Sequence, residues 1–346
     1  MIVDAILKAF GIRGAIDEVA PFGLGHINDS YRLRSGVQWY FLQKINTGIF
    51  TDVHAIESNL QKLFAANSDI FVKNFTAEGQ FHLNHEGEVW RLTEFMPDHY
   101  SPQKSEVMAE LAAVTTGFGT FAKVTHSLDP SLFQESIEQF HHLPLRWDQL
   151  NQAHAQANRQ RLEQAQEYLD QAKEHYPKLI AEEQEWRESG LTQRICHNDC
   201  KINNCLLSKD EQAFGYVVDL DTVGPGFLYY DFGDLMRTCL VTAPENEKVK
   251  ERLRVNPDAF EELAKNYLQA CGTALTLPEK GSLVFGGLYM TFLMAIRFLA
   301  DFLNGDRYYK TTFENENLIR ARNQFFILEQ LVQHRSAFEL KVKNYV

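Results

Sequence analysis

Short apolar runs separated by turns characterise the N-terminal part of the chain. Three of these runs, EVAPF, INDSYRLR and VQWYFLQKI, are rich in Val, Ile, Tyr, Phe and Trp. Such runs are typical of β-strands, and two further strands are predicted near IFVKNF and GEVWRLTEFM. Before these two, Val53, Ile56, Leu60 and Phe64 fall on one helical face, so a helix is predicted over residues 51–66.

From about residue 104 onward, the apolar positions follow helical spacing instead. Residues 151–185 are rich in Gln, Ala and Glu and predict one long amphipathic helix, which either caps a cleft or only pads the lobe. Residues 281–303 are apolar until Arg297 and Asp301 interrupt them. Because a membrane-spanning helix needs about 20 apolar residues, we predict a buried helix here.

This order of elements predicts an α+β fold with two lobes, a small strand-rich one followed by a larger, mostly helical one. Pro97 ends the last N-terminal strand, so the boundary is placed there, with residues 1–97 in the first lobe and a hinge near 94–100. Residues 101–346 then form the helical lobe, which a polar segment at 195–223 interrupts with strands. A cleft between two such lobes is a natural ligand site.

The composition of the chain limits the classes of binding partner that can be expected. The chain has 346 residues, 45% of them hydrophobic, and a formal net charge of -12. Nucleic acids and anionic membranes both require a basic face, so neither is expected as a partner, and no obligate protein partner is evident. The five cysteines and the lack of an export signal at the start of the sequence predict reduced thiols and a cytoplasmic location.

The segment ICHNDCKINNCLL, residues 195–207, concentrates the chain's candidate chemistry. Its three cysteines and His197 could ligate zinc, but the spacing C-x3-C-x4-C matches no common zinc site. Alternatively, the cysteines are small buried side chains around a polar loop. We favour the second interpretation.

The same segment has the spacing of a kinase catalytic loop, because Asp199, Lys201 and Asn204 stand at zero, plus two and plus five. A carboxylate such as Asp199 can orient or deprotonate an attacking hydroxyl. A lysine such as Lys201 can neutralise charge on the transferred phosphoryl group. An asparagine oxygen can bind Mg²⁺ without adding another negative charge.

A second carboxylate for the metal is available further along the chain. If the apolar runs after Asn204 form an antiparallel hairpin centred near residues 211 and 212, Asn204 lies opposite Asp219. Asp221, one side-chain alternation further on, is a third candidate ligand. Asp231 begins the triplet Asp-Phe-Gly but lies far past the hairpin, and we expect it to brace the loop by hydrogen bonding.

The N-terminal lobe supplies candidates for nucleotide binding. Lys44 ends a predicted strand and Glu57 lies in the predicted helix, a pairing that presents an ammonium group to nucleotide phosphates in kinase folds. The turn GLGHIND could cover phosphates with backbone amides, with its remaining polar side chains near the transferred group. The run TEFMP is placed beside the adenine. The residues concerned are Gly23, Gly25, His26 and Asn28 in the turn, and Glu94 and Met96 in the run.

The motifs HNDCKINN, VVDLDTVGPG and YYDFGD together resemble those of the aminoglycoside phosphotransferase-type small-molecule kinases, and most of all the N-acetylhexosamine 1-kinases. The resemblance implies a protein-kinase-like fold, ATP with Mg²⁺, and phosphorylation of the anomeric hydroxyl of N-acetylglucosamine or N-acetylgalactosamine. It makes Asp199 the base, Asn204 and Asp219 the metal ligands and Lys44 a nucleotide contact. It further nominates Arg297, Tyr308 and His26 for the sugar.

Several alternatives remain open at this point. Arg297 could pair with Asp301, four residues further along a helix, and Tyr308 could serve only packing. A related kinase could act on another hydroxylated acceptor, such as an amino alcohol or an aminoglycoside. The protein could also be a non-enzyme, a nucleotide-binding scaffold without activity. The presence of all the expected charged residues argues against this alternative.

Overall fold

The computed structural model describes residues 2–23, 28–67, 69–104 and 106–345. Within them the helices are α1 (Ile2–Ala9), α2 (Val53–Ala66), α3 (Met108–Val124), α4 (Leu143–Gln156), α5 (Arg159–Glu188), α6 (Leu228–Cys239), α7 (Pro257–Cys271), α8 (Leu277–Leu303) and α9 (Glu316–Lys343). The strands are β1 (Glu18–Pro21), β2 (Asp29–Ser35), β3 (Gln38–Ile45), β4 (His82–His85), β5 (Glu88–Glu94), β6 (His99–Tyr100), β7 (Arg194–Cys196), β8 (Cys205–Ser208), β9 (Phe214–Val217) and β10 (Gly224–Gly226). A strand-rich part thus precedes a larger helical part, as the sequence predicts.

In the described residues, an antiparallel sheet with the order β1-β2-β3-β5-β4 forms the N-terminal lobe. Its outer face packs against α1 through a small core that includes Tyr40, Leu42 and Trp90. Because side chains alternate along a strand, Phe41 and Gln43 of β3 face the opposite side, where they line a cleft. Helix α1 was not predicted, since its eight residues are too few for helical spacing to be recognised.

No full strand forms at IFVKNF, and in this segment only Asn74 bridges β5, through an isolated antiparallel pair with Thr93. Ile70 and Phe71 belong to the large core that continues into the helical lobe, and Phe71 forms only an isolated parallel bridge with Val217. The sheet takes β4 as its remaining strand, paired with β5. A short apolar run buried between two lobes has the same pattern as a buried strand, so periodicity does not separate the two.

The predicted helix over residues 151–185 is also corrected, because the segment contains the end of α4 and most of α5. The chain leaves helical geometry at Ala157 and Asn158. The side chain of Asn158 accepts the backbone N–H of Arg161 at 2.9 Å and so caps the start of α5.

Helix α8 is the central helix of the C-terminal lobe and packs against α4, α5, α6 and α9. By length and composition alone it could cross a membrane, yet 94% of its apolar window is buried inside the protein. The prediction of a buried helix over residues 281–303 is therefore confirmed. Within the described chain, its apolar surface is used for packing between helices.

Two glycines allow α6 and α8 to approach closely. A Cβ atom on Gly233 would overlap the carbonyl oxygen of Gly286, and one on Gly286 would overlap the carbonyl oxygen of Tyr229. The triplet Asp231-Phe232-Gly233 thus lies inside a helix, and its glycine is required for packing.

We expect Gly286→Ala to lower the free energy of unfolding by about 1–3 kcal/mol, because overpacking forces backbones apart. Helix propensity alone predicts the opposite sign, since alanine is favoured over glycine by roughly 1 kcal/mol inside a helix. Urea denaturation decides between these outcomes. Gly48→Ala, in the turn after β3, is the control for the substitution itself, since a Cβ there would meet only the side chain of Asn46, 3.2 Å away. A stabilised Gly286→Ala protein would contradict the packing argument.

Candidate active site

A hairpin of β8 and β9 positions the metal-ligand candidates. Cys205 pairs with Val217, and the N–H of Val218 donates to the carbonyl oxygen of Asn204 at 3.0 Å. The predicted hairpin is therefore formed, but Asn204 lies opposite Val218 and not opposite Asp219. Asp219 follows in a left-handed conformation with φ of 60° and ψ of 56°, which is uncommon for a residue other than glycine and ends the strand.

Asp231 braces the segment that leads into the catalytic loop. Its two carboxylate oxygens accept the backbone N–H groups of His197 and Asn198, each at 2.8 Å. The hydroxyl of Thr222 donates to the carbonyl oxygen of His197 at 2.8 Å. The prediction that Asp231 acts as a brace is confirmed, and the buried brace fixes the backbone immediately before Asp199.

Asp199 is held by the two residues that the spacing predicts. The ammonium of Lys201 lies 2.6 Å from its Oδ1, and Nδ2 of Asn204 donates to its Oδ2 at 3.1 Å. Burial by itself would raise the pKa of Asp199, but the adjacent Lys201 outweighs it and holds that pKa below its ordinary value. Asp199 is therefore an ionised, oriented carboxylate that can accept a hydrogen bond or a proton.

Asn204 and Asp219 fit a magnesium ion. Nδ2 of Asn204 is directed at Asp199, which leaves its Oδ1 as the atom for a metal. Asp219 is exposed to the cleft, but partial desolvation by the surrounding protein and the charges of Asp221 and Asp199 raise its pKa to about 7, so nearby cations compensate its negative charge only in part. Two oxygen ligands suit Mg²⁺, which keeps several waters and takes further oxygens from substrate phosphates.

The zinc alternative for the cysteines finds no support. Among the described residues, no group of three or more His, Cys, Asp or Glu side chains is arranged to hold a metal ion. Cys196, Cys200 and Cys205 are buried and free, and burial raises the pKa of each thiol well above its ordinary value. They are inert small side chains packed around the loop.

Asp221 is not placed as a metal ligand. Both of its oxygens are engaged by the guanidinium of Arg91, in an ion pair where the side chains are 6% and 1% exposed. Nδ2 of Asn28 also donates to Oδ2 of Asp221, at 3.0 Å. Asp221 thus joins the predicted nucleotide-covering turn and β5 to the corner formed by Asn204 and Asp219, the candidate metal-binding corner. Because its oxygens are already paired, this geometry does not support the prediction that Asp221 binds a metal.

The predicted pairing of Lys44 with Glu57 is wrong. Lys44 ion-pairs with Asp29 at 3.4 Å and Glu88 at 3.6 Å. It shares the strand face of Leu42 and lies across from Trp90, on the outer face of the sheet. Glu57 instead accepts the backbone N–H groups of Phe81 and His82 and contacts the His82 ring at 2.6 Å. Glu57 therefore anchors α2 to β4, and Lys44 points away from the cleft.

A cavity of about 230 Å³ lies in the cleft between the lobes. Glu94 and Met96, predicted beside the adenine, both line it, as do Gln43, Arg91 and Asp219. The cavity thus runs from the connector between the lobes to Asp219, an extent that would suit a nucleotide with its phosphates at the Asp219 end.

The glycine-containing turn is described only in part. Gly23 has a φ of 91°, which glycine adopts without strain, and Asn28 accepts the N–H of Asn46 at 2.9 Å while it donates to Asp221. Gly25 and His26 lie outside the described residues. Their predicted contacts with phosphate and sugar stay predictions.

Arg297 does not form the alternative pair with Asp301. Asp301 instead accepts the backbone N–H groups of residues 307–309 at 2.8 to 2.9 Å and so anchors the loop after α8. The Arg297 guanidinium lies over the rings of Phe140, Tyr308 and Tyr309, at 4.9, 5.8 and 5.7 Å. Among the described residues, no carboxylate is within ion-pair distance of it. Tyr308 is 51% exposed, so its role is not core packing.

Sequence reasoning missed Arg91, Phe140 and Tyr309. Arg91 is a charged residue within an apolar strand, and that break in the pattern was the signal that could have identified it. Phe140 and Tyr309 carry no such signal, because aromatic residues occur in most apolar segments of this chain. They were brought beside Arg297 by packing between segments distant in the sequence.

Comparisons with known proteins agree with this geometry. The model of the phosphotransferase enzyme family, APH, matches residues 18–265. The structure is similar to a microcompartment-associated aminopropanol kinase, with a TM-score of 0.66, 15% identity and 99% of both chains covered. It is also similar to an aminoglycoside phosphotransferase from Alicyclobacillus acidocaldarius, with a TM-score of 0.64, 14% identity and coverage of 99% of this chain and 97% of that chain.

A third similar structure is the spectinomycin phosphotransferase APH(9)-Ia, solved with ADP and spectinomycin. Its TM-score is 0.60 at 12% identity, and the match covers 95% of this chain and 98% of that chain. At such identities the solved structures establish the fold, which is the predicted protein-kinase-like one with two lobes, while the family model extends over more than half of the sequence. The chain therefore belongs to the phosphotransferase enzyme family and is a small-molecule kinase of that family.

Proposed function

We propose that the protein transfers the γ-phosphoryl group of ATP, in the presence of Mg²⁺, to the anomeric hydroxyl of an N-acetylhexosamine. The product is the sugar 1-phosphate. Support for the nucleotide comes from the cavity that joins the connector to the metal-binding corner. Support for phosphoryl transfer comes from Asp199, with Lys201 and Asn204 in contact with it.

The residues of the site divide the chemistry between them. Asp199 orients the attacking hydroxyl and accepts its proton, while Lys201 balances charge on the transferred group. Asn204 and Asp219 would hold Mg²⁺, which supplies positive charge to the phosphate oxygens when bound. An anomeric hydroxyl is a better acid than an ordinary alcohol, so positioning carries more of the rate enhancement than proton abstraction.

In this proposal, Arg297 is the residue that selects the acceptor. It lies over the ring of Phe140, and the next residue, His141, contacts the carbonyl oxygen of Asn198, immediately before Asp199, at 2.8 Å. A guanidinium only donates hydrogen bonds, so a molecule bound there must supply oxygen acceptors. An N-acetylhexosamine does so through its hydroxyl and acetamido oxygens, and Tyr308 can pack against the sugar ring.

The rival acceptors are amino alcohols and aminoglycosides, because the similar solved structures are named as kinases of such compounds. An ammonium group binds beside carboxylates or over aromatic rings, and an unpaired guanidinium repels it at short range. The position of Arg297 therefore favours a neutral acceptor over a cationic one. Because the overall negative charge of the protein would attract a cationic acceptor, amino alcohols and aminoglycosides are included in the test.

A matched acceptor panel tests the proposal. Purified protein with ATP and Mg²⁺ is incubated separately with N-acetylglucosamine, N-acetylgalactosamine, aminopropanol, choline and spectinomycin, and the products are identified by phosphorus NMR. We expect a new anomeric sugar phosphate with at least one N-acetylhexosamine. Phosphorylation of the cationic acceptors alone would overturn the assignment of the acceptor while leaving the kinase assignment intact.

We further expect Arg297→Gln to lower kcat/KM for the N-acetylhexosamine by about 10- to 100-fold, the effect of losing hydrogen bonds from a charged donor. The KM for ATP should not change, because Arg297 lies away from the nucleotide cleft. Arg159→Gln is the control, since the Arg159 side chain is 92% exposed at the start of α5. Equal activity of the wild-type and Arg297→Gln proteins would remove Arg297 from the acceptor site.

A further inference from the structure

The cleft face of the N-terminal sheet presents an arginine where the sequence suggested a lysine. Arg91 of β5 lies directly across from Gln43 of β3, and both line the cavity between the lobes. Lys44, one residue further along β3, lies on the other face and pairs with surface carboxylates. The cation that the sheet offers to a nucleotide is therefore on β5.

Arg91 is held in place but keeps hydrogen-bonding capacity. Asp221 binds its two terminal nitrogens, and Oε1 of Gln43 accepts from one of them at 2.6 Å. Its Nε is buried without a hydrogen-bond acceptor among the described residues, and the whole residue is 5% exposed. A buried donor with no partner is costly, and an anionic group in the cavity is the natural acceptor for it.

Asp221 connects three parts of the site. It accepts hydrogen bonds from Arg91 on β5 and from Asn28 after the glycine-containing turn. It also follows Asp219 by two residues, so its position is tied to the metal-binding corner. A carboxylate that fixes the arginine relative to this corner sets where the phosphates can lie.

Resting on the proposed function, we infer that Arg91 contacts the nucleotide phosphates in place of a lysine on β3, and that Asp221 is the residue that positions it. Asp221 thus acts through Arg91 and not as a metal ligand. In this arrangement, the cation that the sheet presents to the phosphates is Arg91 on β5, and β3 contributes the side-chain amide of Gln43.

Calorimetric titration without an acceptor tests this inference. Adenosine, ADP and ATP are titrated, with and without Mg²⁺, into the wild-type, Arg91→Lys, Asp221→Asn and Lys44→Gln proteins. We expect Arg91→Lys to weaken ADP and ATP binding by about 10-fold or more while adenosine binding stays within about twofold. Asp221→Asn should show the same selectivity with a smaller loss. Lys44→Gln should match the wild type.

The outcomes distinguish a failure of the Arg91 inference from a failure of the proposed function. Because Arg91→Gln would leave Asp221 buried and unpaired, the charge-neutral double variant Arg91→Gln/Asp221→Asn is the second test, and it should also lose phosphate selectivity. Wild-type affinity for ADP in both Arg91 variants, or equal losses for adenosine and ADP, would overturn the inference. A selective loss in Lys44→Gln would do the same. A wild-type protein that binds no adenine nucleotide would instead overturn the proposed function.

Discussion

Replacing Asp199 with asparagine is expected to lower kcat by about 10²- to 10⁴-fold, the usual contribution of a positioned general base. The loss should fall towards the lower end, because an anomeric hydroxyl gives up its proton more readily than an ordinary alcohol. Asparagine keeps the size of the side chain, so KM for ATP should change little. The measurement is a steady-state assay of ADP release at saturating ATP with the preferred acceptor.

The control for this variant is Asp210→Asn. Asp210 is exposed in the turn between β8 and β9, on the same hairpin that carries the site, so its loss should leave kcat unchanged. A decrease of less than about 10-fold in Asp199→Asn would mean that Asp199 only orients the acceptor. Loss of nucleotide binding in the same variant would point to a disturbed loop, because Lys201 and Asn204 both contact the carboxylate.

The parts of the site that the sequence predicted best lie close together along the chain. The contacts among Asp199, Lys201 and Asn204 follow from a spacing of five residues, and the hairpin brings Asp219 near them. Local spacing fixes such geometry because few backbone conformations connect neighbouring residues. The position of Asp219 was still one residue off, because the turn is centred earlier than predicted, with Leu207 opposite Phe214, and a β-bulge between Leu206 and Leu207 recovers only part of that shift.

The errors concern strand face and long-range pairing. Lys44 and Gln43 are adjacent, and only the register of β3 decides which one faces the cleft. The sequence shows the strand but not which of its faces a distant helix will cover, and α1 covers the face with Lys44. The pair of Arg91 with Asp221 joins residues 130 positions apart, a distance over which pattern reasoning from one sequence has no information.

Arg297 shows how a local rule can fail through tertiary context. The i, i+4 spacing on a helix allowed a pair with Asp301 as an alternative to a role in acceptor binding. Asp301 instead holds the backbone of the loop after α8 and accepts a hydrogen bond from Asn317 at 2.9 Å. Because three backbone N–H groups and an amide satisfy this carboxylate, Arg297 stays available above Phe140. The loop that removes its partner also brings Tyr308 and Tyr309 beside it.

Replacing Asp219 with asparagine is expected to reduce kcat by at least about 100-fold, because the loss of metal binding removes several kcal/mol of transition-state stabilisation. The metal-free variant should nevertheless unfold at a higher temperature than metal-free wild type. The reason is that Asp219, although exposed to the cleft, lies near the carboxylates of Asp199 and Asp221, whose charges raise its pKa, and removal of one negative charge relieves their repulsion.

Thermal unfolding with EDTA, with Mg²⁺ and with Mg²⁺ plus ADP measures both effects of this substitution. We expect Mg²⁺ with ADP to raise the melting temperature of wild type well above that with EDTA, and to raise that of the variant much less. Asp210→Asn again serves as the control and should respond as wild type does. An equal response of the Asp219→Asn protein to Mg²⁺ would place the metal elsewhere, and Asn204 would then lose its partner in the proposed site. A variant that is inactive, more stable without metal and unresponsive to Mg²⁺ would show that the fold accepts a destabilising charge at this corner for the sake of catalysis.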